Sequence, residues 1–416
     1  MAVEIVTFGC RLNAYDSEVI RLRAQASGLT NAVVVNTCAV TGEAVRQSRQ
    51  AIRKLKRECP ERRVIVTGCA AQIEPQTYAA MPEVDRVLGN REKFDGHSYG
   101  DFGLGNGLRV RVSDIMSIRE TAPQMVDHFE GRARAFLQIQ TGCDHRCTFC
   151  VIPYGRGNSR SVPMGGVVAE ASRLAERGFA EIVLTGVDIT SYGADLLGKP
   201  SLGQLILRLL KLVPKLKRLR LSSIDSIEAD PKLMQAVAQE ERLMPHFHLS
   251  VQSGDDLILK RMKRRHRRAD TIAFCNEVRR LRPGAQFGAD FIVGFPTESE
   301  TNFENSLKLV DEAGLSQLHV FPFSPRQGTP AARMPQLDQG IAKARGARLR
   351  DKGHAALVMR LAAMAGKTVV VLVEKPGFGH AECFAPVRFG GAASPGSIVA
   401  VTVQDADGTA LIGEAA

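Results

Sequence analysis

Six of the nine cysteines in this 416-residue chain fall into two groups whose spacing could support metal or cluster chemistry. The tighter group, Cys143, Cys147 and Cys150, has the spacing C-x3-C-x2-C, with the aromatic Phe149 directly before the last cysteine. Three thiolates on one short loop can bind three corners of a [4Fe–4S] cube and leave the fourth iron free for another ligand. Zinc is less favoured, because no fourth ligand stands at the usual spacing and His145 lies inside the tight loop.

The second group, Cys10, Cys38 and Cys69, is spread over the first part of the chain. Each follows a short apolar run, and helical patterns separate the runs, which predicts a parallel α/β sheet. The predicted strands are 3–8, 32–36 and 63–67, and the predicted helices are 13–26 and 42–58. Because the loops after parallel strands meet at one sheet edge, we expect the three thiols to converge. Convergent thiolates favour another iron–sulfur cluster with one iron free of protein ligands, whereas zinc or three unrelated buried cysteines are the alternatives.

Two further stretches show regular patterns of elements. Between 131 and 365, apolar runs alternate with helical segments, which again predicts βα units; the runs are Ala135–Gln140, Glu181–Leu184, Arg218–Leu221, Phe247–Val251, Gln286–Val293 and Gln317–Phe321. After 366, short strand patterns are separated by Gly/Pro turns, which predicts a small β-barrel; the patterns are Thr368–Glu374, Glu382–Phe389, Ile398–Gln404 and Ala410–Gly413.

The composition excludes several classes of protein. With 44% hydrophobic and 24% charged residues, the chain reads as globular rather than disordered or fibrous. It has no apolar run of membrane-spanning length and no signal-peptide pattern, so we expect a cytoplasmic protein without a membrane segment. An odd number of cysteines in a large chain argues against a disulfide framework. Cys59, Cys275 and Cys383 fall inside helical or strand patterns, and we interpret them as structural.

The positive charge is concentrated in the centre of the chain. Residues 131–365 hold 35 basic and 23 acidic residues, whereas residues 366–416 hold 3 basic and 5 acidic residues. The densest run lies at 260–268, and a second lies at 343–352. Such runs favour a nucleic-acid partner, although a solvated helix face is the simpler interpretation of either one alone. The predicted RNA-binding residues are Lys260, Lys263, Arg264, Arg265, Arg267 and Arg268.

The cysteine motifs and their surroundings resemble those of the radical S-adenosylmethionine (SAM) enzymes, and within them the methylthiotransferases (the MiaB, RimO and MtaB group). The matching stretches run in the family's order over almost the whole chain: 8–18, 36–41, 67–72, 141–153, 184–187, 249–254, 290–296 and 323–329. The sequences Cys-Arg-Leu-Asn at 10–13 and Asn-Thr-Cys-Ala-Val-Thr at 36–41 are most similar to the MtaB branch.

The resemblance implies an α/β fold in three domains. These are a Rossmann-like parallel α/β domain at 1–125, a radical SAM partial (βα) barrel at 131–365 and a TRAM-like β-barrel at 366–416. Barrel enzymes carry their chemistry on the loops after the strands. The residues expected to bind SAM are therefore Phe149, Thr185, Gly186, Ser222, Ser223, Gln252, Arg261 and Gly294.

Several of these residues have a second interpretation. Gly186 permits a close backbone approach to a ligand. The hydroxyls of Ser222 and Ser223 could bind SAM or only cap strand ends. Arg261 could pair with the SAM carboxylate or with an RNA phosphate. Asp290 and Glu298 are expected to be turn or cap residues rather than catalytic acids.

The resemblance further implies methylthiolation of a tRNA base, carbon 2 of N6-threonylcarbamoyladenosine next to the anticodon. It implies two [4Fe–4S] clusters, two SAM molecules per turnover, the anticodon stem-loop as partner and an electron donor such as flavodoxin or ferredoxin. The alternatives are the same reaction on isopentenyladenosine or on a ribosomal-protein aspartate, and a non-catalytic iron–sulfur RNA-binding protein. The acidic C-terminal domain is not an obvious binder of RNA phosphates, and this leaves its role open.

Overall fold

The first sheet is parallel throughout, and each of its first three strands along the chain is followed by a cysteine. The computed structural model describes residues 3–100, 108–119, 121 and 132–415. The strand order is β1-β2-β3-β4-β5, all parallel. The elements are β1 (Glu4–Thr7), α1 (Arg11–Ala26), β2 (Ala32–Thr37), α2 (Gly42–Glu58), β3 (Arg63–Gly68), α3 (Cys69–Ile73), α4 (Pro75–Ala79), β4 (Arg86–Leu88), α5 (His97–Gly100) and β5 (Val110–Arg111). The predicted parallel α/β arrangement is confirmed.

Helix α2 shows how the local sequence fixes these elements. The Thr41 side chain accepts a hydrogen bond from the backbone N–H of Ala44 (3.1 Å), which caps the helix at its start. Val45 and Ile52 on its inner face are buried, and the rest of the helix is largely charged. The helix stops at Cys59, which is exposed and lies outside the helix in which the pattern placed it.

Seven parallel strands form an open arc in the centre of the chain. One sheet has the order β10-β9-β6 and the next β11-β12-β13-β14; only Ser222 separates β10 from β11, so the two sheets continue one another. The strands are β6 (Arg134–Gln138), β9 (Glu181–Thr185), β10 (Arg218–Leu221), β11 (Ser223–Ile224), β12 (His246–Gln252), β13 (Gln286–Val293) and β14 (Leu315–Pro322). A short antiparallel pair, β7 (Gln140–Thr141) and β8 (Arg160–Ser161), frames the Cys143 loop. The arc is the expected partial (βα) barrel.

The helices of this region cover the outside of the arc. They are α6 (Ile152–Arg156), α7 (Met164–Glu176), α8 (Leu202–Leu212), α9 (Pro231–Gln239), α10 (Asp256–Arg261), α11 (Arg268–Leu281), α12 (Glu300–Glu312) and α13 (Gln339–Ala362). Strand β13 shows the division between the two faces. Phe287, Ala289 and Phe291 are buried in the apolar core that the helices share, while Asp290 between them faces the inside of the arc and is only half-buried. The inside of the arc, here called the lumen, is therefore polar.

The last strands close into a separate small barrel with the order β15-β16-β17-β19-β18. They are β15 (Thr368–Lys375), β16 (Phe378–Ala381), β17 (Pro386–Gly390), β18 (Ile398–Ala406) and β19 (Leu411–Ala415). The single strand predicted at Glu382–Phe389 is wrong. The chain turns at 382–385, where Phe384 has a φ of 66°, and Cys383 lies buried in that turn.

The small barrel docks on the amino ends of the central strands. Arg134 Nη2 lies 2.6 Å from Glu374 Oε1, Arg218 donates to the carbonyl of Val370 (2.7 Å) and Arg220 to that of Glu382 (3.1 Å). Glu374, one of the acidic residues of the C-terminal segment, is thus paired with an arginine of the central arc.

The domain limits remain predictions. The limit placed at 125–131 lies outside the described residues, whereas the one near 365 falls between α13 and β15. Among the residues that the structure describes, no helix combines the length and apolar character needed to cross a membrane.

Candidate active site between two cysteine sites

The C-x3-C-x2-C loop, here called the barrel cysteine site, is held in place by backbone hydrogen bonds. The N–H of Cys143 donates to the carbonyl of Gly157 (3.0 Å) and that of Cys150 to the carbonyl of Cys147 (3.1 Å). Burial raises the pKa of Cys143 to about 12 and that of Cys150 to about 11. These thiols are therefore protonated at neutral pH when nothing is bound, and a metal centre must displace their protons.

His145 inside this loop belongs to a different set of contacts. Its Nε2 lies 2.9 Å from Asp188 Oδ2 and 3.5 Å from Glu228 Oε1. Cys143, His145 and Asp188 do place ligand atoms within 4.8 Å of one another. The imidazole is already oriented by carboxylates, however, which supports its interpretation as a neighbour of the three thiols.

The structure also brings together Cys10, Cys38 and Cys69, here called the N-terminal cysteine site. Cys10 is the N-cap of α1, Cys38 follows β2, and Cys69 opens α3. Gly9 has a φ of 101°, and a Cβ at that position would lie 2.9 Å from Cys38 Sγ, so the first two loops meet closely. Burial raises the pKa of Cys38 to about 12, with further contributions from the neighbouring thiols of Cys69 and Cys10.

A buried group of charges supports the N-terminal cysteine site, and the sequence pattern did not reveal it. Arg156 Nε donates to Cys69 Sγ (3.2 Å), and its Nη2 lies 2.6 Å from Asp16 Oδ2. Lys93 Nζ lies 2.7 Å from the same carboxylate oxygen, and Asp16 and Lys93 are fully buried. Burial lowers the pKa of Lys93 to about 8. Burial alone would raise the pKa of Asp16, but Arg156 and Lys93 hold it below its usual range.

Arg156 links the two cysteine sites because it comes six residues after Cys150. Helix α6 begins just after Cys150, and a Cβ at Gly155 would lie 3.2 Å from Cys69 Cβ. From the rise of a helix and of extended chain, Cys150 and Gly155 are at most about 12 Å apart. The only sequence signal for this link is the closeness of Arg156 to the barrel cysteine site.

A cavity of about 210 Å³ lies between the two cysteine loops. Its lining includes Val40 and Thr41 from the Cys38 loop, Phe149 and Cys150 from the barrel cysteine site, and Gln252 from β12. The predicted SAM-binding residues Phe149 and Gln252 therefore line a space, here called the shared cavity, between the barrel cysteine site and the loop that follows Cys38.

The other predicted SAM-binding residues at the strand ends differ in burial and in their contacts. Ser222 is buried, and its Oγ has no hydrogen-bond partner among the described residues, whereas Ser223 is half-buried at the start of β11. Thr185 is buried at the end of β9. A Cβ at Gly186 would lie 2.8 Å from the carbonyl oxygen of Gln140, so the close approach there is to protein rather than to open space.

Arg261 and Gly294 already have protein partners. Arg261 Nη1 donates to Thr297 Oγ1 (2.7 Å), and the N–H of Gly294 donates to Glu298 Oε2 (2.8 Å). Glu298 thus orders the loop after β13, as expected for a turn residue, and it pairs with Arg345 (2.8 Å).

Asp290 is not a turn or cap residue. It stands inside β13, where its Oδ1 lies 2.9 Å from His248 Nε2 and 3.1 Å from His319 Nδ1. Burial alone would raise the pKa of Asp290, but the two imidazoles hold it far below its usual range. Asp290 also lines the shared cavity. Successive side chains of a strand point to opposite faces of the sheet, and this alternation could have predicted that Asp290 faces the inside of the arc.

The predicted RNA-binding residues are not equally placed. Lys260, Lys263 and Arg267 are exposed. Arg265 is half-exposed and pairs with Glu228. Two others make internal contacts: Arg264 lies 2.6 Å from Asp225 Oδ2 and donates to Cys147 Sγ (3.8 Å), and Arg268 donates to the carbonyl of Asn305 (2.6 Å).

The similarity to known proteins covers the parts of the chain that carry both cysteine sites. The family description "Radical SAM superfamily" matches residues 137–310, and "Uncharacterized protein family UPF0004" matches residues 2–89. In fold, the chain is similar to the radical SAM methyltransferase TsrM of Kitasatospora setae, solved with cobalamin and a [4Fe-4S] cluster bound. The TM-score is 0.59 at 15% identity, covering 79% of this chain and 76% of that one.

Named relatives are more similar in sequence. Threonylcarbamoyladenosine tRNA methylthiotransferase MtaB of Rickettsia prowazekii is 54% identical over 385 residues, which cover 92% of this chain and 90% of the relative. The protein of the same name from Bacillus subtilis is 36% identical, covering 82% and 78%. The tRNA-2-methylthio-N(6)-dimethylallyladenosine synthase of Neorickettsia sennetsu is 35% identical, covering 89% and 83%. The chain therefore belongs to the radical SAM methylthiotransferases, in the group of the threonylcarbamoyladenosine tRNA methylthiotransferases.

Proposed function

We propose that this enzyme inserts a methylthio group at carbon 2 of N6-threonylcarbamoyladenosine, next to the anticodon of tRNA. The observation that carries the proposal is the single cavity lined from both cysteine loops. A reaction that joins sulfur to an unactivated ring carbon needs its two partners in one enclosed space. Relatives that are 54%, 38% and 36% identical to this chain carry the name of this reaction.

Both cysteine sites fit a [4Fe–4S] cluster with one iron left for another ligand. Each offers three thiol sulfurs from loops that are fixed by backbone or buried contacts, which is the donor chemistry that iron–sulfur clusters take. Cys143, Cys147 and Cys150 would hold the cluster that binds SAM. Cys10, Cys38 and Cys69 would hold the second. Together these groups supply one-electron cleavage of SAM and a sulfur ligand when they are bound.

The chain's own residues position SAM and exclude water. Phe149 offers an apolar face at the barrel cysteine site, and Gln252 offers an amide across the same cavity. The unpartnered Oγ of Ser222 is a buried polar atom that a ligand in the lumen would satisfy. We assign Thr185, Gly186, Ser223, Arg261 and Gly294 to the rim of this SAM site, with Arg261 and Gly294 acting through the loop at 294–298.

The partner is the anticodon stem-loop of tRNA in the cytoplasm, with a flavodoxin- or ferredoxin-type protein as electron donor. The exposed Lys260, Lys263 and Arg267, with Arg265 beside them, supply charge for the RNA backbone. Arg264 and Arg268 keep this surface in place through their internal contacts. Two SAM molecules are consumed per turnover, one for the radical and one for the methyl group.

The test uses the full-length protein after anaerobic reconstitution, with SAM and a chemical reductant. Three substrates are compared: an anticodon stem-loop carrying N6-threonylcarbamoyladenosine, the same loop carrying N6-isopentenyladenosine, and a ribosomal protein with a target aspartate. We expect mass spectrometry to show the methylthio product on the first loop. A product only on the second loop or on the protein would replace the proposed substrate. No cleavage of SAM with any of them would favour a non-catalytic protein.

A further inference from the structure

Arg11 is a cation next to the N-terminal cysteine site. It is the first residue of α1, directly after Cys10, and it is half-buried. Its side chain makes no hydrogen bond or ion pair with the described residues. The charged side chains that act on it are Arg134, Arg220, Asp290 and Glu181. Helix α1 packs against β6, because Ala14 and Tyr15 share a core with Phe136, so Arg11 at the start of the helix lies between the N-terminal cysteine site and the central arc.

The two carboxylates near Arg11 are already used by other groups. Glu181 lies 3.0 Å from Arg134 Nε and 2.9 Å from Arg220 Nε. Asp290 lies between His248 and His319. Among the described residues, Arg11 is thus a cation beside the arc without an ion-pair partner. A partly buried guanidinium without a counter-ion favours a ligand that brings an anion.

The structure of the target base indicates where the anion of such a ligand would lie. In adenine, carbon 2 and the N6 nitrogen flank N1 on the same edge of the ring. A base whose carbon 2 faces the N-terminal cysteine site therefore directs its N6 substituent toward residues beside that site. Arg11 is the immediate neighbour of Cys10. The threonylcarbamoyl substituent ends in a carboxylate, which a guanidinium can bind through two parallel hydrogen bonds.

We propose that Arg11 binds the carboxylate of the threonylcarbamoyl group and so selects this base over adenosines with an uncharged N6 substituent. The inference rests on the proposed function and adds the recognition of its substrate. Asp290 lines the shared cavity, and His248 holds its carboxylate in place. It can therefore accept a hydrogen bond from the hydroxyl or the carbamoyl N–H of the same substituent. Arg11 supplies the charge and Asp290 the complementary acceptor.

The experiment measures binding rather than turnover. Two synthetic anticodon stem-loops are compared by fluorescence anisotropy with the reconstituted full-length protein: one carries N6-threonylcarbamoyladenosine and the other its methyl ester, which is neutral. We expect the wild type to bind the acid about tenfold or more tightly than the ester, as for a hydrogen bond to a charged group. Arg11→Gln should bind both equally, and Arg11→Lys should keep part of the preference. Arg23→Gln, exposed on the same helix, should behave as the wild type.

The iron content of every variant is measured alongside, because Arg11 adjoins a cluster ligand. An Arg11→Gln protein with wild-type iron that still prefers the acid would overturn the proposal, as would equal binding of acid and ester by the wild type. A loss of affinity for both loops alike, with the ratio unchanged, would show a structural role and also overturn it. Failure of the wild type to modify the acid loop, with the Arg11-dependent preference intact, would count against the proposed reaction alone.

Discussion

The two cysteine sites of this enzyme are built in opposite ways. The barrel cysteine site occupies eight consecutive residues, Cys143 to Cys150, and backbone hydrogen bonds tie its loop to Gly157 and Met262 of the same domain. The N-terminal cysteine site is collected from three loops, and it is completed by Arg156, which the barrel domain supplies. A site on one loop requires that loop and the domain that surrounds it to be folded. A site collected from three loops requires the sheet and the adjoining domain to be in place.

Removing one thiol from each site is the most severe way to test this contrast. Cys147→Ala should abolish SAM cleavage, because the barrel cysteine site loses a ligand next to the space that SAM would occupy. Cys38→Ala should leave SAM cleavage in place and stop methylthio transfer. Deoxyadenosine release and methylthio product are measured separately by chromatography. Cys59→Ala, an exposed cysteine outside both sites, is the matched control.

Retention of methylthio product by Cys38→Ala would contradict this division of labour. Loss of SAM cleavage in both variants would instead mean that the two sites fold as one unit. Iron analysis distinguishes these results, since each single variant should lose about half of the iron.

Replacing Arg156 should affect the N-terminal cysteine site through the fold. Arg156→Met leaves Asp16 buried with Lys93 as its remaining ion-pair partner, and breaking a buried charge group costs about 3–5 kcal/mol. We expect a fall of that size in the free energy of unfolding of the apoprotein, measured with urea. Arg208→Met, at an exposed position on α8, should change it by less than about 0.5 kcal/mol. Equal stability of the two variants would show that Arg156 is not needed to hold the N-terminal cysteine site.

The central arc has its own buried carboxylate, Glu181, and its contribution to stability depends on pH. Burial alone would raise the pKa of Glu181, but Arg220, Arg134 and Arg218 lower it from 4.5 to about 2. A lowered carboxylate pKa stabilises the fold above pH 4.5, and this stability is lost as the pH falls toward 2. The shift corresponds to about 3 kcal/mol.

Glu181→Gln should therefore be less stable than the wild type at pH 7, and the difference should shrink between pH 4.5 and 2. Urea unfolding of the apoproteins across this range provides the measurement. A difference that stays constant with pH would mean that the ionised form of Glu181 is not what the arginines stabilise.

The contrast between the sites also explains what could be predicted from the sequence. Cys143, Cys147 and Cys150 form a local motif, and Cys10, Cys38 and Cys69 follow apolar runs, so both sites could be predicted once a parallel sheet was inferred. The buried group around Asp16 could not, because Lys93 and Arg156 are far from it in sequence and charged residues are normally exposed. Asp290 was misread because its strand was not assigned an inner face.

The C-terminal barrel illustrates the same limit. Its acidic composition argued against a contact with RNA phosphates, but the composition could not show that Glu374 faces Arg134 across a domain contact. The strand predicted at Glu382–Phe389 missed the turn at Phe384, because the turn is fixed by packing of Phe384 against Arg220 and His246 from the central arc. Where contacts between residues that are distant in sequence determine the structure, the local sequence pattern does not predict it.

The smallest expected effect concerns the loop that carries Cys38. Thr41 caps α2 through its hydroxyl, so Thr41→Ala should lower the free energy of unfolding of the apoprotein by about 1 kcal/mol. Thr41→Ser keeps the hydroxyl and should stay within a few tenths of the wild type. Because the cap orders the loop that carries Cys38, its loss should reduce the iron held by the N-terminal cysteine site more than it reduces SAM cleavage. If Thr41→Ala lowered SAM cleavage and iron binding together, the two sites would depend on the same local order, and the distinction between a local and a collected site would not hold.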